Sequence, residues 1–284
     1  MNPFYKDKPI YGTIGYVILK NKKKNKKVIV MSDMHDRLKK CDNHTNISDW
    51  FKSKFDSSHI LLEEVDRRNN KLDELWTQSE HTQGLKNLYL KNPKIVKPVD
   101  IRPFLIPFSW ELLSRGDAIE DKMKSMLFKI FLKDIDAFFS LTHEYLKEVL
   151  FIYKVLELKK RKDVRKHFIL LKEQFLKFIE KFVLNLGDKT MMEMFKEHAS
   201  ILEEMNTLLD DIMEWYICVS IDVSYKKSII LHAGLAHTDK VIKLLQSIYG
   251  YKIKIKQGTN EMTQIFFNNM DGCVTLSPED NKDF

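Results

Sequence analysis

The stretch Val28–Ile29–Val30–Met31–Ser32–Asp33–Met34–His35 decides the fold. Four apolar residues, mostly β-branched, run without alternation into a polar turn, the pattern of a strand buried on both faces. Two further runs share this character. Ile60–Leu61–Leu62 ends in Glu63–Glu64, and Ser228–Ile229–Ile230–Leu231 leads into Gly234–Leu235–Ala236–His237. In open α/β sheets, ligands bind at the carboxyl ends of such strands. Three strand ends therefore offer His35, His237 and a carboxylate to one candidate site, enough for a metal or for acid–base work.

Outward from these strands, Tyr11–Leu19 and Lys27–Met31 predict a strand pair around a lysine loop. Ile47–Phe55 predicts a short helix with Asn46 or Thr45 as N-cap. His59–Glu64 is the next strand. Lys71–Leu90 reads as a helix with a weak point at Gly84, and Lys94–Ile101 as a strand ended by Pro103. From Ala118 to Tyr216 apolar residues recur at three- and four-residue spacing, which predicts three or four amphipathic helices with a break at Gly187–Asp188. The Met and Phe stripes of these helices read as core rather than as a cofactor box. The sheet then resumes with Ser228–Leu231, a helix at Asp239–Tyr249 and a strand at Tyr251–Ile255, with edge strands at Gln264–Phe267 and Val274–Leu276. The expected fold is α/β. A single domain over 1–284 has a central, mainly parallel sheet flanked by helices and a helical-bundle insertion over 118–222, before the last core strands.

The chain has 284 residues, of which 44% are hydrophobic, ample for one large core. No apolar run is long enough to span a bilayer, and Met1–Tyr11 lacks a charged-then-apolar signal segment, so a cytoplasmic protein is expected. Cys41, Cys218 and Cys273 are odd in number and scattered, which predicts reduced thiols and neither a disulfide framework nor a zinc knuckle. The net charge is +7. Much of the excess lies in Lys20–Asn21–Lys22–Lys23–Lys24–Asn25–Lys26–Lys27, read as a solvated hairpin loop rather than a phosphate-binding arm. No interleaved aromatics accompany it, so no specific nucleic-acid partner is expected. Lys159–Lys160–Arg161–Lys162 reads the same way.

Gly234–Leu235–Ala236–His237, then Val241–Ile242–Lys243–Leu244–Leu245 and Gly250–Tyr251–Lys252–Ile253, resembles the closing segment of the Tiki/TraB proteases. Their superfamily also holds the erythromycin-esterase and ChaN-like proteins. Ser32–Asp33–Met34–His35 matches the opening Gly-x-x-His of that family, with Ser32 in the place of the glycine. Glu63 or Glu64 matches its strand-end glutamate. The resemblance implies a metal-dependent hydrolase of peptidase or esterase type, acting on a peptide or small ester. His35, His237 and Glu63 would bind a divalent Mn, Co or Zn ion, and Glu63 would bind metal or act as general base. The lysine-, asparagine- and isoleucine-rich composition suggests an AT-rich genome, and the chain looks similar to proteins of large DNA viruses. On that likeness it would act in the host cytoplasm or the virion.

The remaining polar residues each carry two readings. Asp33 would add a carboxylate ligand or cap the following helix. Glu64 is a second catalytic carboxylate beside Glu63. Asp100 and Arg102 would reach the rim of the site or form an ion pair that orients a loop. His232, inside the last strand, would be a rim residue or a satisfied core histidine. A second resemblance is to calcineurin-like metallophosphoesterases, through Asp33–Met34–His35, Val65–Asp66–Arg67 and His232–Ala233–Gly234. Against it, Glu63–Glu64 stands where Gly-Asp belongs, and no Gly-Asn-His occurs. A third reading is a non-catalytic scaffold that keeps the fold and binds a protein partner through the helical insertion.

Overall fold

The computed structural model describes residues 8–34, 38–65, 80–102, 125–130, 132–133, 162–265, 271–282 and 284. In chain order these form β1 (Ile10–Tyr11), β2 (Gly15–Asn21), β3 (Lys26–Asp33), β4 (Thr45–Asn46), α1 (Ile47–Lys52), β5 (Ser58–Val65), α2 (Glu80–Lys91) and β6 (Val96–Asp100). Then follow α3 (Lys162–Leu186), α4 (Met191–Glu197), α5 (Ala199–Val223), β7 (Ser228–Gly234), α6 (Leu235–Ser247), β8 (Lys252–Gly258), β9 (Cys273–Val274) and α7 (Pro278–Lys282). The chain divides into two compact units, one of residues 1–66, 77–100 and 217–284, the other of 67–76 and 101–216.

In the first unit a six-stranded sheet has the order β6–β5–β7–β3–β2–β8. β6, β5, β7 and β3 are mutually parallel, and β2 is antiparallel to both of its neighbours. This is the mainly parallel α/β sheet that the unalternating apolar runs predict. Because side chains alternate along a strand, one sheet face collects Ile29, Met31, Ile60, Leu62 and Ile230 against Trp50 and Phe51 of α1 and Leu85 and Leu88 of α2. The other face carries α6, whose Val241 and Leu245 are buried, against β3 and β7. Among the described residues no helix is long and apolar enough to cross a membrane.

Three local readings are corrected by tertiary contacts. The predicted strand Tyr11–Leu19 is two strands. The chain turns at Gly12, whose φ of +111° belongs to glycine, and a Cβ there would lie 2.7 Å from Ile47 Cγ2 and 3.0 Å from His81 Cβ. The helix expected at Asp239–Tyr249, α6, starts at Leu235, with Gly234 as N-cap, which places His237 in its first turn. The cysteines, expected to be reduced, include a disulfide between Cys41 and Cys273, 232 residues apart. β1 brings them together, because it pairs with β4 on one side and β9 on the other. Cys218 is free and buried. Of the expected strand Gln264–Phe267, Gln264 ends a 3-10 turn starting at Met262, and residues 266–267 lie outside the described residues, as do 71–79 of the expected helix.

At the amino edge of the sheet, His59 is held by Ser224, with Nδ1 3.0 Å from Oγ. Burial, and then the positive charges of Lys97, Lys26 and Lys226, lower its pKa from 6.5 to about 4. The unfolded chain takes up a proton near the ordinary value whereas the folded chain does not. This contribution to stability is complete above about pH 6.5 and is lost as the pH falls toward 4. The urea midpoint should therefore fall across that window, and His59→Gln should flatten the fall; an unchanged slope in the variant would refute the assignment.

The second unit is helical among its described residues. Gly187 separates α3 from α4, as its position in the sequence suggests, and Thr190 with Glu193 forms a capping box at the start of α4. Met191, Met194, Met205, Phe128, Phe175 and Phe178 are buried, so the Met and Phe stripes are core. Arg102 belongs to this unit and pairs with Asp210 at 2.7 Å.

Candidate functional site

Alternation along β3 sets the direction of each strand-end residue. Asp33 follows Ile29 and Met31 on the α1/α2 face, and its carboxylate meets His81 of α2. The Nε2–H of His81 donates to the carboxylate, 2.9 Å from each oxygen, and Oδ1 also accepts the Met34 N–H at 2.8 Å. Both side chains are buried. Tyr11 lies edge-on to the His81 ring, with centroids 5.9 Å apart.

Ser32 faces the opposite layer. Its hydroxyl lies 2.9 Å from the Thr238 hydroxyl of α6, and its carbonyl accepts the Ile14 N–H and the Thr13 hydroxyl. The residue is an ordinary strand position, paired with Gly15 on one side and Ala233 on the other. No left-handed turn is required there, so the backbone accepts serine without strain.

Glu63 reaches from β5 to the start of α6. Its Oε2 accepts the Gly234 N–H at 2.6 Å, and its Oε1 lies 3.4 Å from His237 Nε2. A carboxylate is favoured at this position because the first N–H groups of a helix have no partner within it and carry the positive end of its dipole. The side chains of His237 and Glu63 are only 13% and 9% exposed. The site edge thus holds two histidine–carboxylate pairs, Asp33–His81 on the α1/α2 face and Glu63–His237 on the α6 face.

The other candidates are placed as follows. His232 is buried, with Nε2 2.9 Å from the Gly12 carbonyl oxygen and its ring edge-on to Phe51. Glu64 is half-buried in β5, and Asp100 is buried at the end of β6. His35 and Asp66 lie outside the described residues. His81 was not legible from the sequence: it follows no strand, and no spacing ties it to Asp33, 48 residues earlier. Only the packing of α2 on the sheet brings the two together.

Two ligands bonded at ordinary lengths to one tetrahedral ion stand about 3.4 Å apart, and the separation of His237 and Glu63 agrees. Among the described residues, however, no group of three or more His, Cys, Asp or Glu side chains is placed to hold a metal. The pair suits an ion without completing its coordination.

No family model matches this chain, and neither a curated protein nor a solved structure matches it significantly.

Proposed function

We propose that this chain is a metal-dependent hydrolase, peptidase- or esterase-like, with its site at the carboxyl ends of β5 and β7. Glu63 and His237 are its core, and His35 is the third donor named by the resemblance to the Tiki/TraB and erythromycin-esterase superfamily. The observation that carries this reading is the 3.4 Å approach of His237 Nε2 to Glu63 Oε1 at the start of α6. A divalent Mn, Co or Zn ion bound there supplies hydroxide near neutral pH. Glu63 would hold the ion or serve as general base through Oε1, the oxygen that faces His237, because Oε2 accepts the Gly234 N–H.

Glu63–Glu64 in the place of Gly-Asp, and the lack of any Gly-Asn-His, favour this reading over the phosphoesterase. A disulfide such as Cys41–Cys273 persists in oxidising surroundings and argues against the expected cytoplasmic placement.

The test is elemental analysis of the wild type, Glu63→Gln and His237→Ala after growth with Mn, Co and Zn supplied. We expect stoichiometric metal in the wild type and its loss in both variants, at unchanged circular dichroism. Wild-type protein without metal would overturn the proposal and favour the non-catalytic scaffold. Peptide or ester hydrolysis should fall at least about 100-fold in both variants, together with the metal.

A further inference from the structure

The edge of the sheet opposite the strand-end site gathers segments that are far apart in sequence. Register sets Lys27 beside Ser228, Ser58 beside Ser228, and Ile60 beside Val96. The β2–β3 turn, the loop before β7 and the start of β6 therefore lie along one line, about 19 Å long at ordinary strand spacing. That line carries Lys22, Lys23, Lys94, Lys97, Lys226 and Lys227. All but Lys226 are exposed, and none of the six pairs with a carboxylate among the described residues; Lys97 and Lys226 donate to the carbonyls of Pro93 and Asp56. Asp222, the buried acid at this edge, is taken by Lys24 at 2.7 Å. Lys26 is turned inward onto the carbonyls of Ile221, Asp222 and Ser224, where it caps α5. The lysine loop is thus part structural cap and part outward charge.

An aromatic side chain stands in this line. Tyr225 is 81% exposed. The His59 ring backs it, with centroids 6.1 Å apart and planes at 34°, and Lys226 Nζ lies 5.9 Å from its centroid. Burial, and then the positive charges of Lys97, Lys26 and Lys226, hold His59 uncharged behind this ring. In the sequence Tyr225 adjoins only Lys226 and Lys227, and the folded sheet brings it into line with Lys22, Lys23, Lys94 and Lys97.

We propose that this lysine-lined edge binds single-stranded nucleic acid without sequence preference, with phosphates along the lysines and a base stacked on Tyr225. An acidic protein or an anionic membrane would use the charge but not the flat ring face, whereas unpaired bases use both. Duplex nucleic acid would use the charge alone, its bases being already stacked.

The test is fluorescence anisotropy of the full chain with a labelled oligothymidylate and with a duplex of the same length. If about four phosphates are neutralised, affinity for the single strand should fall about 50-fold between roughly 50 and 200 mM salt. Lys22→Glu/Lys23→Glu/Lys227→Glu should weaken binding at least about tenfold and flatten that salt dependence. Tyr225→Ala should cost about tenfold for the single strand alone, and Tyr225→Phe should restore it. All these positions are exposed, and unchanged melting temperatures will confirm that the variants fold. Absence of single-strand binding at low salt would overturn the proposal, as would indifference to the triple charge reversal or an equal loss for duplex and single strand in Tyr225→Ala. Binding to phosphatidylserine vesicles but not to oligothymidylate would assign the edge to a membrane instead.

Discussion

Reduction of the Cys41–Cys273 disulfide is expected to destabilise the protein by about 4 kcal/mol, with about 5 kcal/mol as the loop-closure ceiling. The bond closes a chain segment of 232 residues, and the entropy it removes from the unfolded state grows with the logarithm of that length. Local structure offers little to replace it. β4, β1 and β9 have two residues each, too few for an independent sheet. What remains is a short set of hydrogen bonds: Gly272 accepts from Gly12 and donates to Lys39, and the Tyr11 hydroxyl donates to Leu38. Gly12 in turn holds His232 by its carbonyl and packs on His81, so loosening this sheet reaches the site. Urea midpoints of the wild type with and without a phosphine reductant, beside Cys41→Ser/Cys273→Ser, measure the effect. Coincident midpoints would refute it. Thiol titration gives an independent check, with Cys218 reacting only after unfolding and Cys41 and Cys273 only after reduction.

Asp33→Ala is expected to cost about 3 kcal/mol, as removal of one partner from a buried pair does. The substitution leaves His81 Nε2–H and the Met34 N–H without their acceptor in a site closed to water, and each loses a bond it cannot replace. His81→Ala should cost less, because Asp33 keeps the Met34 N–H and the space can relax. The double variant should be clearly more stable than the sum of the two single losses, and the urea midpoints of all four proteins give the coupling directly. Additive losses would show that the two groups do not act as a pair.

The core of the site was legible where chemistry and secondary structure coincide in a short stretch. Val28–Met31, Ile60–Leu62 and Ser228–Leu231 announce buried parallel strands by their unbroken apolar character. A parallel sheet then places Glu63 near the start of the helix that carries His237. The misreadings share one cause. Gly12 breaks the strand because Ile47 and His81 crowd it, and both come from distant helices. Cys41 and Cys273 are bonded because β1 has two neighbours from opposite ends of the chain. Leu235 begins its helix at once because Gly234 caps it, with its N–H on Glu63 of another strand. None of these partners is within reach of a local pattern.

The sequence by itself determined which segments are buried strands, which stripes of the helices form the core, and that His237, Asp33 and Glu63 sit where those strands end. These properties depend on the residue types of a few consecutive positions and on the cost of exposing their apolar surface. Tertiary structure alone decided which acid meets which histidine. β7 lies between β3 and β5, so Asp33 and Glu63 are two strands apart, and alternation turns Asp33 toward His81 while Glu63 meets His237 at the start of α6. It also decided that a tyrosine and six lysines from three parts of the chain share one edge. Pairing across a sheet depends on strand order and register, which arise from the packing of the whole unit and leave no mark on any single stretch.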